Sequence, residues 1–445
     1  QLMERLIAKH DEGPKFYYQL ANVYIKQNKL DQALKTYQRF EDNFGVNPQV
    51  VRQQKRIYLQ KNQVEKAADA VRGLIEQNPN QLKYYRQLAK LYSANNKPDK
   101  AKRVYEEMTE LAPDNGQTQM ALAQYYNEQG KQKKAFNSLK QAFEDPELGI
   151  DKKVKFMLSN YLQQRLNSQQ TQQAFELGKI LVNAHPESAK AHAAYGDILY
   201  RSDRTQKAMQ EYEAAISGSK DNFSVWQNLL QIYLQESRYQ KLESQSKRAL
   251  TYFPNQPLLY YFHGLGLKEN GKLNKAVKQF ESGLNLLSAN RRLKTQFYSN
   301  LGTTYHDMAE YQQSEKYFDK ALKINPGDPF ILNNYSWYLA LRGDSLSKAE
   351  KMSAKSLEKQ PDNSAYLDTY GWIQYKKGDY QTAKQYISRA LEQSPEDAEL
   401  LEHYGDIRYK LDQVDKAVQY WKDARQRGGP ANKLDEKISN RQILK

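Results

Sequence analysis

The apolar and polar positions of this chain keep one rhythm from near its beginning to near its end. In the stretch SAYLDTYGWIQYKKGDYQTAKQYISRALEQSP, Ser364 to Pro395, one helical-looking segment rich in Tyr, Leu and Gly is followed by a second rich in Ala and Ile. Counting positions from 1 within such a unit, apolar residues favour positions 4, 7, 8 and 11, an i, i+3, i+4, i+7 stripe along one helix. A second stripe follows at positions 20, 24 and 27. Positions 8 and 20 take small residues, which lets two antiparallel helices approach closely. Pro79, Pro113, Pro186, Pro254, Pro326, Pro361 and Pro395 close units, because the residue before a proline is driven away from helical geometry. Gly, Asn and Asp between the stripes supply a turn, as in Gly378-Asp379, Asn270-Gly271-Lys272 and Gln129-Gly130.

The unit recurs. Position 20 is filled by Ala33, Ala67, Ala101, Ala135, Ala174, Ala208, Leu242, Ala276, Ser314, Ala349, Ala383 and Ala417. Nine of the eleven steps between them are 34 or 35 residues, so the period is not a chance alignment. Positions 7 and 8 agree, pairing a large residue with a small one at Leu20-Ala21, Leu88-Ala89, Leu122-Ala123, Tyr195-Gly196, His263-Gly264, Leu301-Gly302, Tyr370-Gly371 and Tyr404-Gly405. Two longer steps mark insertions, five residues near 146–154 and four near 288–294, read as lengthened helices or loops between units. Unit two carries Lys55 where a small residue is usual. Unit five carries Gly178 at a normally aromatic position and is expected to have an extended first helix.

This pattern resembles the tetratricopeptide repeat (TPR) family over residues 14–431. The resemblance implies an all-α fold, a right-handed superhelix of about twelve helix pairs closed by a C-terminal helix. The expected organisation is a partial helix over 1–13 in register with the end of a preceding unit, units one to four over 14–148, and a degenerate unit five over 149–188. Units six to eight follow over 189–294, units nine to twelve over 295–431, and a capping helix over 432–445, where Leu434 and Ile438 stand four apart. Repeat arrays need such a cap to cover their last apolar face.

The runs LNNYSWYLALRG, AYLDTYGWIQYKKGDY and ELLEHYGDIRYKL resemble a narrower group, TPR proteins of bacterial cell envelopes. That likeness implies a place at the periplasmic face of the outer membrane, with a lipid anchor outside the residues given. The alternatives are a cytosolic co-chaperone-like adaptor and, less favoured, an RNA-binding helical-repeat protein.

Charge alters this picture little. Lys and Arg outnumber Asp and Glu by 67 to 52, but the signs are interspersed, whereas nucleic-acid binders gather basic residues on one face. No nucleic-acid partner is therefore expected. A mean hydropathy of −0.93 suits a thin array in which every helix lies near solvent. There is no cysteine, which excludes disulfides, thiolate metal sites and a cysteine nucleophile. No apolar run approaches the ~20 residues of a membrane-spanning helix.

Nothing in the sequence reads as catalytic machinery. The six histidines, at 10, 185, 192, 263, 306 and 403, show no HExxH spacing. His192 and His263 fall in packing positions, and His306-Asp307 reads as a solvated pair. The GxG at Gly264–Gly266 lies inside a helix with no strand before it, so it is a packing feature and not a phosphate loop. Most of the 34 tyrosines fall at packing positions 4, 7, 11 and 24. No enzyme activity, cofactor or metal is expected.

The expected function is a scaffold that binds other proteins or peptides along the groove. Positions 5, 9 and 12 share one face of the first helix beside the packing stripe, and in TPR relatives that face lines the groove. Units two and three place Arg52, Arg56, Arg86 and Lys90 there. Units ten to twelve place Trp337, Asp368, Trp372, Tyr375, Glu402, Asp406 and Tyr409 there. The expectation is a basic docking patch at one end and an acidic, aromatic one at the other, with both indoles off the packing stripe. Some TPR proteins hold a peptide's terminal carboxylate in a clamp. Against that pattern this chain offers Tyr18, Asn22, Gln53, Lys90 and Ala94, of which only Asn22 and Lys90 match, so no clamp of that type is expected.

Overall fold

A computed structural model describes residues 13–444. The expected partial helix at the N-terminus falls almost wholly outside them. The described residues form helices and no strand. They pair as the sequence period requires, from Pro14–Lys26 with Leu30–Phe44 to Ala398–Lys410 with Val414–Gln426, and a last helix, Ala431–Asn440, follows. The chain divides after Ser219 into two compact parts. Repeats one to six lie in the first, and repeats seven to twelve with the last helix lie in the second.

Each repeat is built the same way for identifiable reasons. In most repeats the first helix is opened by a side chain just before it: Asn47, Asn115, Ser188, Asn222, Asn290, Asp328, Asn363 and Asp397 each accept a hydrogen bond from a backbone N–H of the first turn. The helix ends at position 15, where one residue takes a left-handed backbone. That residue is Asn28, Asn62, Asn96, Gly130, Asp203, Ser237, Gly271, Ala309, Gly343, Gly378 or Asp412. Only repeat five lacks it among the described residues.

Positions 8 and 20 explain the close packing of each pair. Ala101, Ala383 and Ala417 at position 20 are fully buried. Position 8 sits beneath the side chain sixteen residues on. A Cβ added to Gly264 would lie 2.3 Å from Phe280, and one added to Gly405 would lie 2.6 Å from Trp421. Glycine there lets a large ring occupy the space between helices, and burying such a ring stabilises by about 2–3 kcal/mol.

The two insertions behave differently. The first helix of repeat nine, Arg291–Asp307, is lengthened to 17 residues, against 13 for Pro257–Glu269 before it. The first helix of repeat five is not extended. It runs Ile150–Met157, continues as a π-turn over Leu158–Leu162, and so begins early and also ends early. The second helix, Ser168–Ala184, starts ahead of register behind a reciprocal Asn167–Gln170 cap. Gly178 has no ring because Tyr195 fills its space, 2.3 Å from where a Cβ would stand.

Lys153 secures this irregular region. It is fully buried and donates from Nζ to Phe143 O at 2.9 Å, to Asp145 O at 2.6 Å and to His185 Nε2 at 2.7 Å. The ammonium thus serves the end of the preceding helix, Gln132–Glu144, where carbonyls lack intrahelical partners. Burial lowers its pKa to about 8. Burial, and then the Lys153 charge, keep His185 below the ordinary imidazole range.

Candidate protein-binding groove

The face at positions 5, 9 and 12 divides into a solvated part and a part the chain itself covers. In repeats two and three, Arg52, Arg56 and Lys90 are exposed and Arg86 is half-buried. Arg52 and Arg86 hold position 5 of adjacent repeats, and Arg56 and Lys90 hold position 9. The helices that carry them, Pro48–Gln60 and Leu82–Ala94, contain no acidic residue, nor does Pro14–Lys26 before them. None of the four cations has an ion-pair partner among the described residues. Asn22 is exposed at position 9 of repeat one.

Some cations elsewhere in this part of the chain are paired. Lys61 meets Asp31, Lys97 and Lys100 meet Glu65, and Arg72 meets Glu107 at 3.4 Å. The Lys97 and Lys100 partners hold the Glu65 carboxyl down at about 2. Such exposed pairs add little to stability.

The acidic and aromatic end corrects the expectation of two exposed indoles. Trp372 is only 9% exposed. The His403 ring stacks on it at 4.1 Å and Tyr375 at 4.5 Å. Trp337 is half-buried, its ring 5.8 Å from the same imidazole. Tyr375 and Tyr409 are half-buried as well, Tyr409 lying 6.0 Å from Trp421. Position 9 is off the packing stripe within its own repeat, but His403, on the first helix of repeat twelve, closes over it in repeat eleven and approaches it in repeat ten.

The acidic residues are covered by a related device. His403 Nδ1 pairs with Asp368 Oδ1 at 2.8 Å. Lys437 Nζ, from the last helix, donates to Glu402 Oε1 at 2.7 Å and to Asp406 Oδ1 at 2.7 Å. Lys433 adds a 2.8 Å contact to Glu402. Trp421 Nε1 donates to Asp406 Oδ1 at 2.9 Å. Glu402 and Asp406 are each 5% exposed and Lys437 1%. Burial opposes the charged form of Glu402, yet Lys433 and Lys437 hold its carboxyl below the usual range. Burial pushes Asp406 up against the pull of Lys437. Asp368, Glu402 and Asp406 are thus internal ionic joints between successive helices, not a free acidic surface.

His403, which the sequence pattern did not single out, is central to this cluster. Burial works against its charge, but Asp368, then Glu399 and Asp406, hold its pKa above the ordinary range. The signal available in sequence was a histidine one position after an acidic residue, 35 residues beyond Asp368. Two other histidines pack. His263 is buried against Glu243 O and Ser246 Oγ, each 3.1 Å away. His306, expected to be solvated, is half-buried and stacks on Tyr338 at 4.0 Å.

Both breaks in the repeat period border cavities. One of about 410 Å³ lies beside the irregular repeat five, where Met120, Gln124, Phe136, Asn160, Tyr161 and Gln173 are among a lining without charged side chains. One of about 510 Å³ lies beside the lengthened helix of repeat nine. Among the described residues no cluster of three or more His, Cys, Asp or Glu could hold a metal ion. None of their helices is long and apolar enough to cross a membrane.

Comparison with known proteins gives matches to the tetratricopeptide repeat at residues 18–81, 58–125, 166–223, 295–328 and 371–432, together more than half of the chain. Among curated relatives, the chain is 24% identical over 205 residues to the TPR repeat-containing protein PA4667 of Pseudomonas aeruginosa, covering 44% of this chain and 33% of that protein. It is 23% identical over 164 residues to the human protein O-mannosyl-transferase TMTC3, covering 36% of this chain and 18% of that protein. The matched stretches therefore span a third or less of these relatives' own lengths. The yeast Tom70 crystal structure aligns over 96% of this chain and 95% of its own, at 16% identity and a TM-score of 0.44.

Proposed function

The chain belongs to the tetratricopeptide repeat family, and on that premise we propose that it is a non-enzymatic scaffold whose groove face in repeats one to three binds an acidic segment of a partner protein. One observation carries this reading. Three consecutive first helices carry no acidic residue, and Arg52, Arg56, Arg86 and Lys90 on two of them have no ion-pair partner among the described residues. Four like charges on adjacent helices repel one another, and an acidic ligand relieves that repulsion. Arginine suits such recognition, because its planar fork meets a carboxylate with two parallel hydrogen bonds.

The setting we propose is a bacterial cell-envelope complex. The motifs of the last third support it. The aromatic cluster of repeats ten to twelve has no part in partner binding on this reading, since its side chains are engaged internally.

The test is capture and crosslinking of partners from envelope fractions with wild-type chain and with Arg52→Glu combined with Arg86→Glu. Wild type is expected to recover a partner in a salt-sensitive manner, because exposed charge contacts weaken with ionic strength. The variant is expected to lose it. Equal recovery by both, with the same salt dependence, defeats the reading. A gel-shift against random RNA that the same substitutions abolish would favour a nucleic-acid ligand instead. Fractionation of the native protein tests the envelope location, which fails if it remains with the cytosol.

A further inference from the structure

The lengthened first helix of repeat nine builds a site that a regular repeat would not have. Its added turn brings Arg291 and Arg292 to the edge of the cleft of about 510 Å³ between the first helices of repeats eight, nine and ten. Both side chains are exposed, and neither has an ion-pair partner among the described residues. Arg291 donates Nη2 to Ile324 O at 3.1 Å, which fixes its side chain over the cleft and leaves its other donors unused.

Two further features point to a ligand. Phe330 is 58% exposed, more than any other large apolar side chain among the described residues, and with Ile324 and Ile331 it forms an apolar wall. Ser299 lines the same cleft, and its hydroxyl has no hydrogen-bond partner among the described residues. The single carboxylate in the wall, Asp328, is already engaged. Its Oδ1 accepts from Phe330 N at 3.1 Å and Ile331 N at 3.2 Å, and its Oδ2 accepts from Asn325 Nδ2 at 3.2 Å. The cleft therefore offers free positive charge, one waiting hydroxyl and an uncovered ring side by side.

We propose that this cleft docks an extended segment of a partner protein in which a carboxylate side chain stands next to an aromatic one. The carboxylate meets the Arg292 and Arg291 guanidinium groups and Ser299, and the aromatic ring covers Phe330 and Ile331. The volume lies within the range of pre-formed ligand sites. This proposal rests on the scaffold reading and adds a second, chemically distinct contact to it.

The test uses the full chain with ¹³C-labelled isoleucine δ-methyls and the blocked dipeptide acetyl-Phe-Asp-amide as probe. Saturable shifts are expected at Ile324 and Ile331 and not at Ile57 or Ile75. Arg292→Glu, Phe330→Ser and replacement of the probe by acetyl-Phe-Asn-amide are each expected to weaken binding roughly tenfold, the loss that follows from removing one charge-assisted contact or one apolar anchor. Both replaced side chains are exposed, and unchanged thermal unfolding checks that the fold persists. Shifts that do not saturate up to the probe's solubility, or equal binding by either variant or by the Asn probe, would overturn the proposal. So would a single-stranded oligonucleotide that shifts these methyls when the dipeptide does not. Because the readout is local to repeats nine and ten, its failure is distinguishable from failure of the basic face in repeats one to three.

Discussion

Lys437 reaches Glu402 across 35 residues of sequence, at 2.7 Å, as His403 reaches Asp368 across 35 residues, at 2.8 Å. Both are contacts from position 6 of one first helix to position 5 of the first helix before it. The last helix, Ala431–Asn440, therefore continues the register of the array, in the place that a first helix takes in each repeat. Leu434 is fully buried against Trp421 and its neighbours, and Lys437 pairs with two buried carboxylates, Glu402, which Lys433 also meets, and Asp406, to which Trp421 Nε1 also donates.

Removing that ammonium leaves Asp406 without an ion-pair partner among the described residues and Glu402 with Lys433 alone. Lys437→Ala is expected to cost about 3–5 kcal/mol, the penalty for breaking a buried pair from one side. Because repeats couple mainly to their neighbours, hydrogen exchange should rise in 398–440 and stay unchanged in repeats seven and eight. Adding Glu402→Gln and Asp406→Asn to Lys437→Ala should restore most of the loss. No restoration would mean that the lysine acts through packing alone.

The imidazolium of His403 makes the same end of the chain sensitive to pH. Its folded pKa is raised above the unfolded value, so its contribution is fully present below about pH 6.5 and is lost as pH rises through the folded pKa. Denaturant midpoints of wild type and His403→Gln should therefore differ most at pH 5–6 and converge under alkaline conditions. A gap that widened with pH would contradict the pairing with Asp368.

Ala101 and Ala383, at position 20, are predicted to tolerate no growth. Ala101→Leu and Ala383→Leu should each cost roughly 1–3 kcal/mol through overpacking, since both alanines are fully buried where two helices touch. The damage should appear as faster hydrogen exchange in the altered repeat and those beside it. A uniform rise along the whole chain would argue against nearest-neighbour coupling.

The sequence alone determined the helix pairs, their period, the small residues at positions 8 and 20 and the turn between helices. These follow from local geometry and from contacts within one repeat, which a 34-residue period displays directly. The basic face was also legible, because charges pointing into solvent keep the character their residue type gives them. The aromatic and acidic face was not. Whether Trp372 is exposed depends on His403, and whether Glu402 is a free charge depends on Lys437; each partner sits on the next helix of the stack, at a position whose residue type varies from repeat to repeat. The cleft at repeat nine needed the structure for a similar reason. The count of four extra residues showed that something had been added, but only the tertiary packing decided that the addition lengthened a helix and carried Arg291 and Arg292 to the edge of an apolar wall. Contacts within a repeat recur with the period and can be read from it, whereas contacts between particular repeats depend on which side chains meet once the helices have stacked.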